Sequence, residues 1–194
     1  MKKDIILAGV GGQGILSIAT IIGYAAIESG LNLKQAEVHG MSQRGGDVQS
    51  HLRISDRQIY SDLIPHGGAD VIISVEPMEA LRYKPYLSPS GWFISNSNPV
   101  VNIPNYPQIQ NVIDEINSLT KKVILDADSI AKESGSAKSM NMVVLGAASK
   151  YLDLPYEKLE EGISYIFGRK GEKVVEINLI AMKAGRAIAE KGLQ

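Results

Sequence analysis

Cysteine is missing from all 194 residues. That absence excludes disulfides, thiolate-held zinc, cysteine-ligated iron–sulfur clusters and a cysteine nucleophile in one step. Basic charge is not in excess either: 20 Lys and Arg stand against 21 Asp and Glu, without the basic stripe of a nucleic-acid binder. No uncharged apolar run approaches the roughly 20 residues that span a bilayer. Met1-Lys2-Lys3-Asp4 leads into a five-residue apolar stretch, shorter than a signal peptide's core. The histidines at 39, 51 and 66 form no ligand spacing such as H-E-x-x-H, so no metal site is expected. The nucleophile elbow, the P-loop and the kinase signature set are missing as well. The expectation is a soluble cytoplasmic chain with neither nucleic acid nor membrane as partner. It is equipped to hold a ligand, but no catalytic residue is assigned to it. That points to a subunit.

What is present begins at once. Ile5 to Ala8 is apolar and runs into Gly9-Val10-Gly11-Gly12-Gln13-Gly14, which satisfies G-x-G-x-x-G. Ile15, Ile18, Ala19, Ile22, Ala26 and Ile27 follow at helical spacing. The motif therefore lies after a strand and opens a helix, the context that gives it meaning. Residues without side chains let a ligand approach the main chain, and a helix N-terminus presents unpaired N–H groups to an anion. The same glycines also suit a tight strand-to-helix turn with no ligand.

Leu31 to Val38 reads as a second strand closing a βαβ unit, followed by the polar loop 39–46. From Asp47 to Ile54, Val48, Ser50, Leu52 and Ile54 alternate with Gln49, His51 and Arg53, with 58–60 a candidate antiparallel partner. Strands at 70–75, 91–95 and 122–126 alternate with helices at 76–83, 108–119 and 127–134, and 96–107 is loop. Helices at 140–152, 156–167 and 174–191 complete the chain. In the last, Ile177, Ile180, Ala181, Ala184 and Ile188 form an apolar stripe assigned to the core. The fold expected is α/β and three-layered: one domain over 1–194, with a mainly parallel sheet covered by helices on both faces. It has a Rossmann-like start and an inserted antiparallel hairpin.

Ligands of parallel sheets bind at the carboxyl ends of the strands. The loops 9–14 and 40–46 follow consecutive strands and should meet there. Ser42 and Gln43 offer neutral hydrogen bonds, and Arg44, followed by Gly45 and Gly46, offers a planar guanidinium suited to carboxylate or phosphate. Arg44 equally suits a solvated or interface charge. Glu37 ends the second strand, where a dinucleotide fold holds a ribose hydroxyl, or it pairs with Arg44. His39 suits a proton shuttle or a structural hydrogen bond, and His51 a solvated face or subunit contact. Asp126 and Asp128 suit helix capping better than acid–base chemistry or Mg²⁺ binding. Asn141 reaches a ligand or caps a helix. Trp92 reads as core.

The run Gly9 to Gly14, then Glu37-Val38-His39-Gly40-Met41-Ser42-Gln43-Arg44-Gly45-Gly46, then Val48 to Arg53, resembles the gamma domain of 2-oxoacid:ferredoxin oxidoreductases. Within that family it looks most like the small subunit of the indolepyruvate type. Asn141-Met142-Val143-Val144-Leu145-Gly146 matches the same pattern, and the similarity covers nearly the whole chain. The resemblance implies oxidative decarboxylation of a 2-oxoacid to an acyl-CoA, with electrons passed to ferredoxin. Thiamine diphosphate with magnesium and iron–sulfur clusters would lie on a larger catalytic partner, through which ferredoxin is reached. The Gly-Asp-Gly that starts the thiamine motif and the cluster cysteines are both missing here. This chain would complete the active-site entrance and bind coenzyme A. The implied binding residues are Gly9, Gly11, Gly12, Gln13, Gly14, Ser42, Gln43, Arg44, Gly45, Gly46 and Asn141. A nicotinamide-dependent oxidoreductase and a purely structural subunit are the alternatives.

Overall fold

The computed structural model describes residues 1–39 and 45–191, without the side chain of His39. Six strands, β1 (Lys2–Val10), β2 (Asn32–His39), β3 (Asp47–Ser55), β4 (Ala69–Ser74), β5 (Leu87–Asn96) and β6 (Lys122–Leu125), form one sheet in the order β2-β3-β1-β4-β5-β6. Pairings β1–β4, β4–β5 and β5–β6 are parallel; β3 runs antiparallel to both β1 and β2. Five strands thus share one direction. Ile5, Ile6, Leu7 and Ala8 are all buried, as expected of a strand covered on both faces.

Helices α1 (Ile15–Glu28), α4 (Ala127–Glu133), α5 (Met140–Ala148), α6 (Tyr156–Phe167) and α7 (Glu172–Lys191) gather on one face over Ile5, Leu7, Leu52, Ile54, Ile73 and Ile94. The smaller core on the other face joins Ile6, Ile72 and Phe93 to α2 (Pro77–Arg82) and α3 (Ile109–Asn117). Local signals explain the boundaries. Glu76 caps α2 by accepting from the Glu79 N–H at 2.7 Å, with Pro77 in the first turn. Asp126 caps α4 in the same way through Ser129 at 2.9 Å. Gly30, at φ 73°, ends α1 in the left-handed conformation that few other residues adopt.

Three expectations need correction. The antiparallel strand is present, but it pairs with β2, not with residues 58–60, which form no strand. β3 is consequently inserted between β1 and β2, and the first βαβ unit does not close onto adjacent strands. Segment 58–68 instead covers the face carrying His51. That histidine is 2% exposed and accepts at Nδ1 from the Ile64 N–H at 3.0 Å, so it is neither solvated nor a contact surface.

The third correction concerns α7. Its buried residues are Asn178, Ala181, Met182, Gly185 and Ala189, whereas Ile180 and Ile188 are exposed. The cause is a close crossing with α5. A Cβ at Gly146 would stand 1.9 Å from the Met182 carbonyl oxygen, and one at Gly185 1.9 Å from that of Val143. Small residues let the two backbones meet, so the bulky stripe turns away.

Candidate functional site

The turn between β1 and α1 is closed by its own residues. Gln13 Oε1 accepts from the Val10 N–H at 2.8 Å, and its Nε2 donates to the Val75 carbonyl at 3.3 Å. The Gln13 N–H donates to the Val10 carbonyl at 3.1 Å. Gly12 and Gly14 take φ 101° and 81°, a region that strains other residues. Gly9 is a packing glycine: a Cβ there would lie 2.4 Å from Val75 Cγ2.

The two glycine loops meet at the same sheet edge. Gly11 donates to the Gly46 carbonyl at 2.8 Å and accepts from the Gly45 N–H at 3.3 Å. Asn102, from the 97–108 loop, donates to the Gly45 carbonyl at 2.7 Å. Asn141, at the start of α5, donates to the Gly14 carbonyl at 3.0 Å. Ser42, Gln43, Arg44 and the side chain of His39 lie outside the described residues, as does any pairing of Glu37 with Arg44.

These bonds decide which main-chain donors remain. Gln13 spends its N–H within the turn, on Val10, and Gly11 spends its own on Gly46 of the second loop. Among the described residues no acceptor takes the N–H of Gly12, Gly14, Ile15 or Leu16. The free main-chain donors therefore sit one step later than expected, at Gly12, Gly14 and the first turn of α1. No acidic side chain occupies that turn.

Two hollows flank the turn. One, about 360 Å³, is lined by Gly11, Gly12, Ile15, Leu16, Glu37 and Val48. The other, about 440 Å³, is lined by Gly12, Gly14, Ser17, Lys138, Asn141 and Lys170, among others. Composition alone does not flag the two lysines, because the chain folds back through α5, α6 and α7 to bring them to the turn. Glu37 is exposed and accepts from Gln35 Nε2 at 2.7 Å. With β3 in between, β2 stands two strand spacings from β1, roughly 10 Å. A ribose-holding acid in a dinucleotide unit sits on the adjacent strand.

Other acids at this edge are structural anchors. Glu76, fully buried, accepts from the Val100 N–H at 3.3 Å and from the Tyr106 hydroxyl, which ties down the 97–108 loop. Asp47 accepts from the Tyr83 hydroxyl at 2.6 Å. Burial pushes the Glu79 carboxyl upward, with the Arg82 guanidinium opposing it. Asp128 accepts from Asn96 and Asn98, at 2.9 and 3.2 Å. Among the described residues no group of acids and histidines forms a metal cluster. Trp92 is half-buried and stacks on Tyr151 with centroids 4.1 Å apart.

Comparison with known proteins agrees with this geometry. The sequence profile of the pyruvate ferredoxin/flavodoxin oxidoreductase family matches residues 4–188. Indolepyruvate oxidoreductase subunit IorB of Archaeoglobus fulgidus is 40% identical over 194 aligned residues, covering 95% of this chain and 94% of the relative. The subunit of the same name from Pyrococcus horikoshii is 36% identical, covering 100% and 99%. A 2-oxoglutarate:ferredoxin oxidoreductase from Magnetococcus marinus, solved with 2-oxoglutarate, coenzyme A and succinyl-CoA bound, superposes with TM-score 0.77 at 26% identity. That match covers 98% of this chain and 31% of the larger one. The keto/oxoacid ferredoxin oxidoreductase gamma subunit from Geobacter sulfurreducens shares the fold, with TM-score 0.70 at 24% identity over 97% of this chain and 99% of that one. The chain belongs to the pyruvate ferredoxin/flavodoxin oxidoreductase family and is a subunit of a 2-oxoacid:ferredoxin oxidoreductase.

Proposed function

We propose that this chain is the small, single-domain subunit of a cytoplasmic, indolepyruvate-type enzyme. That enzyme converts a 2-oxoacid and coenzyme A to an acyl-CoA and carbon dioxide, passing two electrons to ferredoxin. This chain closes the active-site entrance and binds coenzyme A at the glycine turn. The observation that carries the reading is the joining of Gly11 to Gly45 and Gly46, which leaves the donors of Gly12, Gly14, Ile15 and Leu16 for an anion. A larger partner supplies thiamine diphosphate with magnesium for the carbanion chemistry and iron–sulfur clusters for electron transfer. Without cysteine, this chain has no thiolate to ligate a cluster. The names of the archaeal relatives support the indolepyruvate type, and the coenzyme A in the Magnetococcus enzyme supports the ligand. No described helix is long and apolar enough to cross a membrane.

The nicotinamide alternative loses its main support because Glu37 lies across β3 from the turn. The purely structural alternative is tested on the assembled complex. Purification of the native protein should recover a larger chain bearing Gly-Asp-Gly and cysteine clusters. Calorimetric titration of that complex should show coenzyme A binding weakened by Gly12→Ala. A solitary monomer with its own turnover, or affinity untouched by Gly12→Ala, overturns the proposal.

A further inference from the structure

The two hollows beside the glycine turn differ in electrostatics. The first is lined by Glu37 and by apolar Ile15, Leu16 and Val48, with no cation among its described lining residues. The second is lined by Lys138 and Lys170 and by no described carboxylate. Neither ammonium meets an acid within ion-pair range among the described residues. Lys170 lies 5.3 Å from the centroid of the Phe167 ring. Asn141 and Asn178, each 7% exposed, also line this hollow. Each spends its Nδ2 on a main-chain carbonyl, of Gly14 at 3.0 Å and of Val174 at 2.7 Å. Each amide oxygen then has no donor among the described residues.

A dianion is most stable where cations and helix N-terminal donors converge, and less stable beside a carboxylate. Both hollows share the donors of Gly12 and Gly14, but among the described residues only the second adds cations, whereas the first holds the Glu37 carboxylate. We infer that the hollow between the glycine turn, residues 136–141 and α7 is a phosphate-ester subsite, with Lys138 and Lys170 recognising the charge. This rests on coenzyme A being the ligand of the chain. It adds which side of the turn receives the phosphate-bearing end, leaving the apolar hollow for the uncharged arm. The amide oxygens of Asn141 and Asn178 suit N–H donors carried beside the phosphates, such as the exocyclic amine of a purine.

The test uses the assembled complex and calorimetry with coenzyme A, 3′,5′-ADP and inorganic phosphate as separate probes. Both lysines are exposed, so Lys138→Met with Lys170→Met should fold normally, checked by an unchanged melting temperature. The double variant should bind both coenzyme A and 3′,5′-ADP about tenfold or more weakly, since each loses charge-assisted contacts. Unchanged coenzyme A affinity in the double variant, alongside weakening by Gly12→Ala, overturns this inference and leaves the proposed function standing. Loss of inorganic phosphate binding alone identifies a free-phosphate site and overturns it too. If neither Gly12→Ala nor the lysine pair alters coenzyme A affinity, the proposed function itself falls.

Discussion

Asn141 donates from Nδ2 to the carbonyl of Gly14, 127 residues earlier, and a Cβ on Gly14 would stand 2.4 Å from that nitrogen. The contact fixes the start of α5 against the start of α1. Gly14→Ala would impose a side chain at φ 81° and displace Asn141, at a cost of about 2 kcal/mol. Asn141→Ala should cost about 1 kcal/mol, the net worth of one hydrogen bond. Because both variants break one contact, the double variant should be less destabilised than their sum. Strict additivity in denaturant melts would show that the contact does not hold the two helices together.

The crossing of α5 and α7 leaves less latitude. A Cβ at Gly146 or Gly185 would press on a backbone oxygen at 1.9 Å, and no flexible side chain there can yield. Gly146→Ala should therefore cost about 3 kcal/mol or more, above the usual range for overpacking. Gly171→Ala serves as a control: its φ is 101° with open space around it, so only backbone strain is expected. Comparable melting temperatures for the two variants would refute the tight crossing.

The sequence-to-fold correspondence divides along a physical line. Buried parallel strands such as 70–75 and capped helices such as those beginning at Pro77 and Ala127 were legible, since apolar runs, proline and capping acids act locally. The meeting of the two glycine loops was legible too, because Val10 and His39 end strands that point the same way. The insertion of β3 was not: alternation identifies a strand but does not name its neighbour. The burial of His51 is not legible for the same reason, since the cover over that face comes from Ile64 and its surroundings. In α7 the true buried face carries Ala181, Gly185 and Ala189, and small residues give a weak apolar signal. Lys138 and Lys170 became visible only when the helices after β6 returned to the turn.

Asp4 and Arg53 form a pair in which the carboxyl is 1% exposed and the guanidinium reaches both oxygens, at 2.8 and 2.9 Å. Burial alone would raise the carboxyl's pKa, but hydrogen bonds from Arg53 and Lys2 outweigh it and hold the group below the usual carboxylate range. A carboxylate depressed in the folded state stabilises above its unfolded pKa, about 3.9, and loses that contribution as pH falls through the folded value. Arg53→Met leaves the buried carboxylate with Lys2 as its one cation among the described residues and should cost about 3 kcal/mol at neutral pH. The deficit should shrink below about pH 4, where the unfolded chain's carboxyl protonates. A deficit constant with pH would show that Arg53 acts through packing instead of charge.

His51 makes the complementary prediction at milder acidity. Its Nδ1 accepts from the Ile64 N–H, so the folded chain holds the ring neutral. Burial first, and the Arg53 charge second, push its pKa below the ordinary 6.5. For a base depressed in this way, the unfolded chain binds the proton first. Its stabilisation is complete above about pH 6.5 and declines as pH falls from there toward the folded pKa. The slope contributed by one such proton reaches at most about 1.4 kcal/mol per pH unit. His51→Gln retains an acceptor for the Ile64 N–H without titrating. The variant should be less stable than the parent at pH 7.5, with the gap narrowing or reversing by pH 5.5. Melting-temperature differences that stay the same at both pH values would rule out a neutral, buried His51 as the source of acid sensitivity.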